Sequence, residues 1–184
     1  MFLDSSETNL YHSFPGVCNG VDLDSETIAG LAKKHTNIVG TKLTCASVGK
    51  ITRLAAELPS SDFATFGGQS DFLLGGLAVG SAGCIAAFAN VFPKAIRRIY
   101  DLYASGKHDE ALKMHRVAAL AESLSKSGIA NTKYAAALTS AKAAGIEGAG
   151  EKLRPRRPYE PPSEDVKHDI RARMEEMMKI ENSL

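Results

Sequence analysis

Four times within the first 105 residues, a short run of β-branched and apolar residues gives way to a segment of helical period. That alternation leaves few folds open, because parallel strands joined by helices satisfy it and all-α or all-β packings do not. Leu10–Pro15 reads as a strand ending in a Pro-Gly turn, and Ser25–Lys34 carries Ile28, Leu31, Ala32 and His35 at helical spacing. Residues 37–44 (NIVGTKLT) have the look of a strand buried on both faces. Ser47 is placed to cap a helix with the stripe Val48, Ile51, Leu54, Ala55 and Leu58. Asp62–Phe66 predicts a third strand, followed by Gly67-Gly68 and a helix around Asp71–Leu77. Gly83–Phe88 predicts a fourth, and Pro93 suits the first turn of a helix continuing through Ile96, Ile99, Tyr100 and Tyr103.

From Lys107 onward the period stays helical, with Ala111, Met114, Ala118 and Ala121 on one face and an alanine-rich stretch from Asn131 to Ala144. Residues 154–162 (RPRRPYEPP) form an extended proline-rich linker. A last amphipathic helix aligns Val166, Ile170, Met174 and Met177. The expected fold class is therefore α/β, with four β-α units over residues 1–105 and a helical extension over 106–184. Four units make half of an eight-stranded barrel. A doubly wound open sheet is the alternative, but no G-x-G-x-x-G or phosphate-loop signature follows any strand. A partial (β/α)8 barrel is the preferred reading.

Composition removes several function classes. A formal net charge of +1 points to neither nucleic acid nor an anionic membrane surface. No apolar run approaches the ~20 residues of a membrane span, and Met1–Glu7 lack the features of a signal peptide or an arginine-rich transit peptide. A cytoplasmic location is expected, with a mitochondrial one left open. Cys18, Cys45 and Cys84 lack metal-ligand spacing, and His35, His108, His115 and His168 fall on separate elements, so no metal is expected. Ser47-Val48-Gly49-Lys50 spells S-x-x-K without the companion motifs of serine-lysine enzymes, and Ser47 is better explained as a cap. Arg154, Arg156 and Arg157 read as solvated linker.

Lys42 is the informative residue, since an apolar strand normally excludes an ammonium group. Either its stem snorkels or a carboxylate pairs it, although no acid flanks it, or desolvation lowers its pKa and makes it a nucleophilic amine. The residues alone leave both readings open.

Tyr11-His12-Ser13-Phe14-Pro15, residues 37–42 (NIVGTK), residues 66–71 (FGGQSD), residues 80–85 (GSAGCI) and Ala89-Asn90 together resemble the second half of the dihydrodipicolinate synthase and N-acetylneuraminate lyase family of class I aldolases. The stretches 130–133 and 153–155 are similar to that family's helical extension, and residues 14–28 and 42–50 look closest to fungal-type members similar to 4-hydroxy-2-oxoglutarate and 2-keto-3-deoxy sugar-acid aldolases. The resemblance implies Lys42 as the Schiff-base lysine, Tyr11 as the proton-shuttling phenol, and Gly68 and Ile85 as backbone contacts to a 2-oxo acid of pyruvate or glyoxylate type. It implies no cofactor, since the lysine imine is itself the electron sink, and it implies a homo-oligomer. The family has two residues between its tyrosine and the proline; here three residues, His12, Ser13 and Phe14, intervene. The family's first four strands have no counterpart in these residues. A catalytically inactive aldolase fragment and a non-enzymatic α/β interaction module, with Lys42 merely structural, are the competing readings.

Overall fold

The computed structural model describes residues 7–184. Most of Met1–Glu7, read above for targeting signals, lies outside them. Two compact units divide the chain, one ending at Ile85 and one running from Ala86 to Leu184.

The first unit alternates β1 (Asn9–Ser13), α1 (Ser25–Lys34), β2 (Ile38–Leu43), α2 (Val48–Glu57), β3 (Ala64–Gly67), α3 (Leu73–Ala78) and β4 (Gly83–Cys84). All strand pairs are parallel and their order in the sheet is that of the chain. Helix entries are fixed by short polar side chains: Asp24 accepts from the Thr27 N–H at 2.7 Å, and Ser47 accepts from the Lys50 N–H at 3.2 Å. The core lies between sheet and helices, where Ile28, Ala29, Ile38, Leu43, Ile51, Leu54, Leu58 and Phe63 form one buried cluster. Fully burying each of the larger aliphatic side chains contributes about 1.5–3 kcal/mol. Gly40 allows β2 to close on β3, since a Cβ there would stand 2.5 Å from the Ala64 carbonyl oxygen.

The fourth strand is shorter than its sequence predicts. β3 stops at Gly67, which is paired with Cys84, and the Ile85 N–H donates to the Gly67 carbonyl at 2.8 Å as the last rung. Beyond that the chain turns into a 3-10 segment, Ala87–Asn90, whose Phe88 is buried edge-on against Phe92. The apolar run was real, but its second half serves a different core.

The second unit holds α4 (Pro93–Ala104), α5 (His108–Ser125), α6 (Ile129–Leu138), α7 (Ser140–Ala143), α8 (Ala149–Lys152) and α9 (Glu164–Ser183). Helix α4 packs on α5 and α9, so packing groups it with the extension whereas chain order groups it with β4. Ile96, Ile99 and Leu102 from α4 and Ile170, Met174 and Met177 from α9 are buried. Pro93 starts α4 without a side-chain cap from its own flank. Glu181 supplies one from α9, its carboxylate accepting from the Lys94 and Ala95 N–H groups at 3.1 and 2.7 Å. No helix among the described residues is long and apolar enough to cross a membrane.

Candidate active site

Strand register decides which side chains share a face. Tyr11 is aligned with Thr41 and Thr65, and His12 with Lys42, Phe66 and Gly83. Successive residues of a strand point to opposite faces. Leu43 belongs to the cluster under the helices, and Tyr11 packs against that same cluster. Tyr11, Ser13, Thr41 and Leu43 therefore look toward the helices, and His12 and Lys42 look away from them. A bulge corrects the parity further down: the register steps from Asn9–Ile38 to Leu10–Gly40, skipping Val39, so Ile38 joins Leu43 in the core despite the odd interval between them.

Lys42 is partly buried, and burial holds its amine below the ordinary lysine value. No carboxylate pairs with it among the described residues. His12 stands on the neighbouring strand, about 4.8 Å away in backbone spacing. Its imidazole is held below its ordinary value by burial and then by the Lys42 charge. One ring nitrogen, Nε2, is 2.8 Å from Thr44 Oγ1, and the ring stacks on Phe14 at 5.3 Å between centroids. Thr44 in turn backs onto Gly68, where a Cβ would meet the threonine's Cα at 2.6 Å and its Cβ at 2.7 Å. Gly68 donates its N–H to the Leu43 carbonyl at 3.0 Å and Ile85 donates to Gly67. What either can present to a ligand is thus a carbonyl oxygen. The loop after β2 holds Ala46 at φ 58°, in the left-handed region that costs a residue with a Cβ about 1–2 kcal/mol.

The helix-side face carries a separate polar cluster. Lys50, buried, donates to Asp22 Oδ1 and to the Leu23 carbonyl, both at 2.6 Å, and the Ser13 hydroxyl donates to the same Asp22 oxygen at 2.8 Å. The Lys50 ammonium holds the Asp22 carboxyl below its usual range. Burial, followed by nearby Cys18 and Asp22, holds the Tyr11 phenol above its own. This cluster ties the loop after β1 to α2, which accounts for the lysine of S-x-x-K without any nucleophilic serine: the Ser47 hydroxyl is occupied as a helix cap.

Of the residues singled out from sequence, Lys42 stands on one face with the Gly68 turn beside it, and Tyr11 stands on the other. His12 was passed over. The signal was present, because counting the family's two-residue interval back from Pro15 lands on His12. Groups of three His, Cys, Asp or Glu side chains able to hold a metal ion do not occur among the described residues.

The model of the dihydrodipicolinate synthetase family matches residues 6–177. A Coccidioides immitis protein, provisionally named a mitochondrial 4-hydroxy-2-oxoglutarate aldolase, is 68% identical over 173 residues, covering 94% of this chain and 55% of that protein. An L-threo-3-deoxy-hexylosonate aldolase from Hypocrea jecorina is 42% identical over 132 residues, covering 67% of this chain and 42% of that one. The crystal structure of a Coccidioides immitis protein provisionally assigned to the dihydrodipicolinate synthase family superposes with a TM-score of 0.88 at 63% identity, over 95% of this chain and 55% of that chain. The chain spans about half the length of the curated relatives it matches. Its four parallel strands correspond to about half of a barrel of that kind.

Proposed function

Because the chain belongs to the dihydrodipicolinate synthetase family, whose members are class I pyruvate aldolases working through a Schiff base without a cofactor, we propose that it carries the lysine half of an aldolase acting on 4-hydroxy-2-oxo acids, with Lys42 as the imine-forming amine. The observation that carries this reading is the placement of Lys42: a partly desolvated amine, with no carboxylate partner among the described residues, on the side of the sheet away from the helices, where a barrel has its interior. A lowered pKa enlarges the neutral fraction able to attack the C2 carbonyl of a 2-oxo acid. The resulting iminium withdraws electrons, so as the C4 hydroxyl gives its proton to a base and its electron pair closes the C=O bond, the bond between C3 and C4 breaks, the aldehyde leaves, and an enamine of pyruvate remains. Gly68 follows β3, the strand beside Lys42, and Ile85 follows β4, one strand further, so their carbonyl oxygens are candidates to stabilise the iminium cation.

The names of two relatives suggest the substrates, 4-hydroxy-2-oxoglutarate and a 3-deoxy sugar acid. The Coccidioides relative's name is mitochondrial, and that location, left open by composition, is adopted over the cytoplasmic one. Self-association is part of the proposal. Among the described residues β1 and β4 each have one strand neighbour, and open edges with a half-covered face favour pairing with another copy.

The test is imine trapping. The 184-residue chain is incubated with pyruvate and borohydride, digested, and its peptides weighed. Label on the Lys42 peptide, lost in Lys42→Arg because arginine does not deprotonate, supports the reading. Label spread over surface lysines, or none, overturns it in favour of a structural Lys42.

A further inference from the structure

We infer that His12 is the proton-transfer group of this site, acting through the hydroxyl of Thr44 on the adduct formed at Lys42. The inference rests on the assignment of Lys42 as the imine-forming amine and goes beyond it by giving the proton chemistry to His12, an imidazole at the interval from Pro15 where the family has a phenol.

Three independent features place His12 there. It is the direct register partner of Lys42 on the adjacent strand, so the two side chains leave the same face of the sheet side by side. Its Nε2 is hydrogen-bonded to Thr44 Oγ1 at 2.8 Å, and Thr44 sits against the Gly68 turn at the end of β3. Its ring stacks on Phe14 with the two planes 29° apart, which limits the directions in which the nitrogens point. Among the described residues, Lys42 is the charged group that acts on the imidazole, and the Thr44 hydroxyl and the Phe14 ring are its polar and ring contacts. Tyr11, the phenol nearest in sequence, is committed to the opposite face, where it packs under α1 and α2.

Imine formation needs a group of this kind. The Lys42 lone pair attacks C2 of the 2-oxo acid and the carbonyl π pair moves to oxygen, giving an ammonium and an alkoxide on one carbon. The neutral imidazole takes one proton from that nitrogen, while the alkoxide takes one from solvent. The imidazolium then returns its proton to the hydroxyl, the C–O bond breaks, and water leaves as the nitrogen lone pair closes the C=N bond. Imidazole ends neutral, the iminium carries the positive charge, and one proton is taken up overall. A threonine hydroxyl both donates and accepts, so it can pass the proton between a ring nitrogen and an oxygen beyond direct reach.

The experiment follows the rate of borohydride trapping of pyruvate at Lys42 against pH in the 184-residue chain, His12→Phe and His12→Tyr. Phenylalanine keeps the stack on Phe14 and removes both nitrogens, while tyrosine returns one ionisable proton. A positioned acid–base group contributes ~10²–10⁴-fold, so trapping in His12→Phe should fall at least tenfold at neutral pH and lose the inflection due to imidazole. His12→Tyr should recover part of the rate. Equal rates and equal pH profiles in the parent and His12→Phe overturn the inference while leaving Lys42 in place. No trapping at Lys42 in the parent removes the aldolase reading first, and the inference with it. Should His12→Phe not fold, the imidazole resonances of the parent decide. Reduction of the Lys42 imine should displace the His12 titration, and an unmoved titration refutes the role.

Discussion

Replacing Gly68 by alanine tests whether the turn after β3 is as tightly built as the geometry requires. The new Cβ would stand 2.6 Å from Cα and 2.7 Å from Cβ of Thr44, where ordinary contacts between such carbons begin near 3.4 Å. Cα is backbone, so no rotamer change relieves it; β2 and β3 must separate by several tenths of an ångström, against the Gly68 N–H bond to Leu43. Overpacking of this kind costs typically ~1–3 kcal/mol, and a clash with main chain belongs at the upper end, about 3 kcal/mol. For a unit of this size each kcal/mol shifts Tm by roughly 4–8 °C, so a fall of roughly 12–24 °C is expected. Combining Gly68→Ala with Thr44→Gly removes the clash with Cβ and Oγ1 but leaves Cα in place, so stability should return only in part. Urea denaturation followed by circular dichroism measures all three proteins. A Gly68→Ala protein within about 0.5 kcal/mol of the parent, the range of an inconsequential surface change, would refute the reasoning.

Two further outcomes follow from the helix-side face. Asp22 has a depressed pKa in the fold, so its contribution is present above the unfolded carboxylate value of about 3.9 and is lost as pH falls through the lower folded value. Asp22→Asn should flatten the acid limb of the stability–pH curve. It should also destabilise the neutral protein by about 1–3 kcal/mol, below the ~3–5 of a fully buried pair because the Asp22 side chain is 35% exposed; an unchanged acid limb would contradict the assignment. Tyr11→Phe should lower pyruvate trapping at Lys42 by less than about threefold, against the ~10²–10⁴ of a positioned acid–base group, and a loss in that range would return the proton chemistry to the phenol.

How far the chain could be read from its letters depended on the kind of information each residue carries. The limits of α1, and the caps at Asp24 and Ser47, follow from local chemistry, and so does Pro93 at the start of α4. The stripe Ile51, Leu54 and Leu58 is buried as its period requires, and so are Ile170, Met174 and Met177. The length of β4 was not legible, because a strand extends only as far as its partner does and β3 is four residues long. Lys42 stood out because a cation in an apolar strand is anomalous in any context. His12 did not: the interval to Pro15 pointed to it, but which of Tyr11 and His12 shares a face with Lys42 is set by register with β2, a pairing property that no single stretch spells out.

The alignment of His12 with Lys42 has a consequence at the level of the gene. In most folds a phenol becomes an imidazole at a given place through base substitutions in one codon. Along β1 the two already stand next to each other, and the length of the coding segment before Pro15 selects which of them shares a face with Lys42. Deleting the Ser13 codon would set Tyr11 at the two-residue interval from the proline and slide it onto the face that His12 now holds. A single in-frame insertion or deletion is thus enough to exchange a phenol for an imidazole on the face that carries Lys42 while every neighbouring codon stays as it was.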